Sequence, residues 1–121
     1  MTNFFWVALG GAIGAVGRYS IGLWLINLSK LFPFATLIVN ITGSFLLALL
    51  FAWQLNQDGV NQQLWLLLGV GTLGAFTTFS TFSLDLVLLA QQGEWLKAVI
   101  YALLNIVGCI AAVLLALWLK S

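Results

Sequence analysis

Gly69-Val-Gly-Thr-Leu-Gly-Ala-Phe-Thr-Thr-Phe-Ser-Thr-Phe-Ser83 lies in the middle of a long apolar run, and its reading decides the fold. The hydropathy of the run favours a helix, whereas Gly69, Gly71 and Gly74 and the β-branched Thr72, Thr77, Thr78 and Thr81 all weaken one. A break in the helix is therefore expected here. In hydrocarbon a break leaves backbone carbonyls and amides without partners, at several kcal/mol per group, unless protein, water or an ion supplies them. Broken membrane helices accordingly mark ion or substrate sites. Around and after the break stand five hydroxyl side chains together with Phe79 and Phe82, whose i,i+3 spacing puts both rings on one helical face.

Working outward, the 121 residues are 63% hydrophobic and 6% charged with a mean hydropathy of +1.13, so as a globule the chain would offer water almost no polar surface. That composition defines an integral membrane protein. At about 20 apolar residues per crossing, the length accommodates four helices joined by minimal loops, with nothing left for a soluble catalytic module. We expect one four-helix transmembrane domain over residues 1–121, with spans at about 4–28, 34–55, 64–90 and 96–119. The formal charge of +1 and the lack of a basic run give no footprint for nucleic acid. Histidine is absent, which removes imidazole ligands, bases and proton relays. Cys109 has no partner in the chain and says nothing of redox compartment. The N-terminal apolar run lacks a positive flank and exceeds a signal-peptide core, so the first segment is expected to remain a spanning helix.

The first span carries Gly10 and Gly14 in a Gly-x-x-x-Gly, which lets another helix approach closely. Arg18 falls roughly 21 Å into it, beyond the midplane, where snorkelling outward and a structural or pore role are equally open. Pro33 stands where the second helix can begin. Asn40, Thr42 and Ser44 give that helix a polar patch. Asn40-Ile-Thr42 matches a glycosylation sequon but lies inside hydrocarbon, and is discarded. The Asn40 amide either hydrogen-bonds a neighbouring helix, the commoner use, or turns its donors toward a permeating anion.

In the third span, Gly69-Val-Gly-Thr-Leu-Gly74 fits a dinucleotide-binding pattern without the strand and βα unit that pattern requires, so the match is false. Asp85, several residues from the span's end, reads first as an interfacial carboxylate and second as a partner of Arg18. Tyr101, Asn105 and Gly108 or Cys109 share one face of the fourth span, and Gly108, Ala112 and Ala116 form a small-residue stripe. The six tryptophans lie toward span ends as interface anchors. Lys120 on one side faces Lys30 and Lys97 on the other, which sets orientation only weakly. A chain that inserts either way can build an antiparallel dimer.

Three segments then resemble a known family: Gly17-Arg18-Tyr19, Asn40-Ile-Thr-Gly-Ser-Phe45 and, most specifically, Gly74-Ala-Phe-Thr-Thr-Phe-Ser-Thr-Phe-Ser83. Together they make essentially the whole chain similar to the Fluc/CrcB fluoride channels. The resemblance implies an all-α membrane protein of four helices with a break in the third, assembled as an antiparallel, dual-topology homodimer with two pores. It implies passive, fluoride-selective export across the plasma membrane, the inner membrane of a bacterium, as protection against fluoride toxicity. It also implies site residues. Phe79 and Phe82 would line the fluoride path through their positive ring edges, Asn40 would supply amide donors, and Ser80, Thr81 and Ser83 would contribute hydroxyls. Tyr101 would line the pore, and Arg18 would stand in its cytoplasmic vestibule. Backbone carbonyls of Gly74 and Thr77 would hold a structural Na⁺ at the dimer interface, which suits the preference of a hard cation for oxygen.

A proton-coupled small multidrug exporter is the main alternative of another class, and it requires a membrane-embedded acid, normally in the first span. Here that span has Arg18 and no acid. A membrane scaffold would explain the glycines but not the hydroxyls and phenylalanines beside the break. An enzyme lacks the nucleophile and base it would need.

Overall fold

A computed structural model describes all residues 1–121. Four helices are long and apolar enough to cross a membrane: Thr2–Trp24, Phe34–Leu55, Gln62–Gln91 and Trp95–Lys120. The first stops at Trp24, although apolar residues continue to Leu28; the chain turns there and makes a short 3₁₀ turn at Leu28–Lys30. Gly22, Asn27 and Ser29 are weak helix formers, and Pro33 disfavours helix at the residue before it. The second helix starts directly after Pro33, as a fixed φ and a missing N–H allow.

The third span holds the irregularity, in two parts. Its glycine-rich portion does not break. Gln62–Leu64 is capped by the Asn61 side chain, which accepts the Leu64 amide at 3.0 Å. Trp65–Leu73 then widens into a π-helix, with Gly74–Phe76 returning to α geometry. Extended backbone comes only at Thr77, with ψ 159°, and at Thr78, with φ −154° and ψ 119°. The β-branched pair rather than the glycines is where the helix gives way. Phe79–Gln91 resumes it, started by the Thr78 hydroxyl, which accepts the Thr81 amide at 3.1 Å. At its far end Gly93, at φ +79°, forms a Schellman closure in which the Glu94 amide reaches the Leu89 carbonyl and the Gly93 amide the Ala90 carbonyl.

Packing follows the small residues. The first span lies chiefly on the widened half of the third, and the second lies on the fourth. At the first crossing the backbones touch: a Cβ on Gly10 would run into the Leu67 carbonyl, and one on Gly14 into the Thr72 carbonyl. The Gly-x-x-x-Gly of the sequence is therefore a docking groove. In the second crossing Ala112 and Ala116 are buried, and Gly108 faces Ile41. A buried apolar cluster gathers Leu37, Phe82, Leu89, Ala98 and Tyr101 where the second span and the second half of the third meet the fourth. Large apolar side chains cover most of the remaining surface, including Phe4, Val16, Leu103, Ile110 and Leu114, as lipid or a second chain requires.

Candidate functional site

The break is held by one side chain. Asn40 Oδ1 accepts the Thr78 amide at 2.8 Å, and its Nδ2 donates to the Thr78 carbonyl at 3.0 Å. Only this orientation of the amide satisfies both groups. The second Nδ2 hydrogen goes to Asn105 Oδ1 on the fourth span, 2.9 Å away. Asn40 thus staples neighbouring helices, with both amide hydrogens engaged within the chain, and also lines the cavity described next. Asn105 Nδ2, by contrast, makes one long bond of 3.5 Å to the Tyr101 carbonyl. That residue was legible only as one member of a polar face.

Beside the staple is a cavity of about 330 Å³ lined by Asn40, Ser44, Thr77, Phe79, Phe82 and Asn105, among others. No ionisable carboxylate or cation lines it; Cys109 adds a thiol. The two phenylalanine rings meet edge to face, 5.5 Å between centroids. Their environments differ sharply, since Phe82 is 5% exposed and Phe79 is 76% exposed in the single chain. The ring of Tyr101 lies 5.3 Å from that of Phe82 and is wholly buried.

Its hydroxyl donates to Asp85 Oδ2 at 2.9 Å, and the Thr36 hydroxyl donates to the same oxygen at 3.0 Å. Asp85 and Arg18 are not paired; the one ion pair of the chain is Lys97 with Glu94, at 3.9 Å. Asp85 instead forms part of the wall of a separate cavity of about 320 Å³ with Lys30, Glu94 and Lys97, the polar mouth expected of an interfacial acid. Arg18 Nε donates to the Ala75 carbonyl at 3.1 Å, so this guanidinium supplies one of the donors that the break removed. With Thr36, Thr78 and Thr81 it lines a third cavity, of about 500 Å³.

The remaining hydroxyls divide. Ser80 Oγ is 3.1 Å from the Thr78 hydroxyl, and Ser83 Oγ donates back to the Phe79 carbonyl at 2.9 Å. Neither lines the cavity around the phenylalanines. Thr77 Oγ1 and the Thr77 amide both reach the Leu73 carbonyl, at 3.0 and 3.1 Å. An unbroken helix would direct the Thr78 amide to the Gly74 carbonyl; because Asn40 takes that amide, the Gly74 carbonyl loses its donor. Gly74 is exposed, and a Cβ there would meet nothing closer than 3.7 Å. The chain has no cluster of three or more His, Cys, Asp or Glu that could hold a metal. A backbone carbonyl freed at a break is a neutral, hard oxygen donor.

Four apolar crossings, a break stapled from within and an uncharged ring-lined cavity beside it define a small multi-pass membrane protein built to handle an ion. Comparison with known families agrees. The model of the family described as CrcB-like protein, Camphor Resistance (CrcB), matches residues 5–117. A protein of Idiomarina loihiensis named fluoride-specific ion channel FluC is 52% identical, over 100% of this chain and 94% of its own length. Proteins of the same name from Shewanella putrefaciens and Shewanella baltica are 49% and 48% identical, each over 95% of this chain and 93% of their own. The chain belongs to this CrcB/FluC family.

Proposed function

We infer that this protein is a fluoride-specific ion channel that lets F⁻ leave the cytoplasm passively. Family membership at about half identity over the whole chain supports the ion, and the cavity around Phe79 and Phe82 supports the mechanism. A fixed lysine would bind fluoride and release it slowly, whereas conduction requires binding weak enough to leave. Ring edges are positive without being cationic, so Phe79 and Phe82 greet an anion without trapping it. The Asn105 amide and the Ser44 hydroxyl, both on the cavity wall, replace part of the hydration shell, while Asn40 holds the break in shape. Tyr101, Arg18, Thr81, Ser80 and Ser83 extend the polar route on either side. Donors fixed around a small space fit fluoride and suit larger halides badly.

The chain works as an antiparallel homodimer in this reading. Phe79 is 76% exposed in its own chain, and Gly74 is exposed five residues before it. A two-fold partner covers both. Gly74 and Thr77 carbonyls from both subunits then surround a Na⁺ on the axis, which fills the vacancy left when Asn40 takes the Thr78 amide. Liposomes containing only this protein, loaded with fluoride and read by a fluoride electrode, should release it at a rate unaffected by an imposed proton gradient. Absence of efflux refutes the channel, and efflux that tracks the proton gradient replaces it with an exchanger.

A further inference from the structure

Neither the break nor the cavity accounts for the π-helix at Trp65–Leu73. Runs in the i→i+5 pattern are rare and collect at functional sites. Several contacts hold this one. Thr72 Oγ1 donates to the Leu67 carbonyl, five residues back, at 2.8 Å. The Gly74 amide reaches the Gly69 carbonyl, again five back. The first span presses on the same link: a Cβ on Gly10 would meet the Leu67 carbonyl and, at 2.9 Å, the Thr72 amide. The Trp65 ring lies 3.0 Å from where a Gly69 Cβ would be, so no side chain at 69 competes for that space. Four-residue spacing returns with the Thr77 amide on the Leu73 carbonyl.

Register along a helix is also direction. Each residue adds about 100° of rotation in an α-helix, so exchanging five-residue for four-residue spacing in this segment swings everything beyond it around the axis. What lies immediately beyond is Gly74, Thr77 and Thr78. We propose that Thr72 is a positioning residue: its hydroxyl pins the wide register, and the register aims the Gly74 and Thr77 carbonyls. This rests on the reading of those carbonyls as Na⁺ ligands. Thr72 itself lines none of the three cavities described above. Its effect on conduction is indirect, through the backbone.

Thr72→Val keeps the branched shape and deletes the hydroxyl; Thr72→Ser keeps the hydroxyl and deletes the methyl. In liposomes, T72V should raise the Na⁺ concentration for half-maximal fluoride flux by about fivefold or more, the population equivalent of one net hydrogen bond. T72S should stay within about twofold of the parent, since the same donor remains. T72V with parental flux and Na⁺ dependence overturns the proposal, as does T72S falling as far as T72V. A loss of thermal stability in T72V with unchanged half-saturating Na⁺ also overturns it, because packing alone then explains the residue. If T72V yields no dimer, Thr72→Cys, with its weaker donor, should fall between the parent and a complete loss, and equality with the parent refutes the role. A parent that conducts equally without Na⁺ removes the cation reading instead. The flux order of Thr, Ser, Cys and Val at this position then decides the Thr72 claim by itself.

Discussion

Replacing Asn40 by leucine is the sharpest test of the break. Leucine has nearly the same shape, so packing against Thr78 and Asn105 is kept while three hydrogen bonds of 2.8, 2.9 and 3.0 Å are lost. The part-buried Thr78 amide and the buried Asn105 carbonyl oxygen are left without their partners. At roughly 1–3 kcal/mol for each stranded group, the cost is about 2–6 kcal/mol. Asn40→Asp should cost more. Its second carboxylate oxygen faces the Thr78 carbonyl and Asn105 Oδ1 with no hydrogen to offer either, and it adds a charge to a cavity that has none. The assay is thermal unfolding of the purified protein, followed by fluoride efflux from the same preparation. The expected order of stability is parent, then Leu, then Asp, with flux lost in both variants. Variants as stable as the parent but unable to conduct would refute the staple, and would return Asn40 to the role of a free donor facing the anion.

Phe79→Ile should reduce fluoride flux sharply with little change in stability, since the ring is 76% exposed in its own chain; Phe82→Ile should lose both, because that ring is 5% exposed in the main apolar cluster. Parental flux in both well-folded variants would make the rings packing only. Exchanging Na⁺ for a large organic cation should suppress flux reversibly, and flux that persists with Na⁺ demonstrably absent removes the cation from the mechanism. A terminal cysteine on a Cys109→Ser background should be labelled from both faces of the membrane in comparable amounts, whereas labelling from one face only excludes the antiparallel dimer. Gly14→Val should prevent recovery of folded protein, since even a Cβ there collides with the Thr72 carbonyl, and a normally folded G14V would mean that the first crossing is not close.

The four crossings were legible because hydrocarbon leaves a chain few options, and Pro33 and the polar stretch at 56–63 mark the turns between them. Within the third span, propensity pointed to the right fifteen residues and the wrong atoms. Glycine weakens a helix in isolation, but Gly69 and Gly71 are confined by Trp65 and by the backbone of the first span, so they widen the helix and do not end it. The interruption falls at Thr77–Thr78, where a side chain from another helix offers both a donor and an acceptor. That offer comes from a residue 38 positions away and has no local signature. The same holds for Asp85: its sequence neighbours suggested an interface, but not that the Thr36 and Tyr101 hydroxyls converge on one of its oxygens. Asn105 is visible in the sequence as part of a polar face, but its pairing with Asn40, 65 positions away, is not.

The way Asn40 closes both polar groups of Thr78 from within bears on how the protein is made. Membrane proteins assemble in two stages, helices entering the bilayer first and associating afterwards. An interrupted helix is a hazard in the first stage, because naked amides and carbonyls cannot wait in hydrocarbon for a partner to arrive. Here the second span, synthesised earlier, already holds the amide that covers the interruption, so a newborn chain can rest in the bilayer alone.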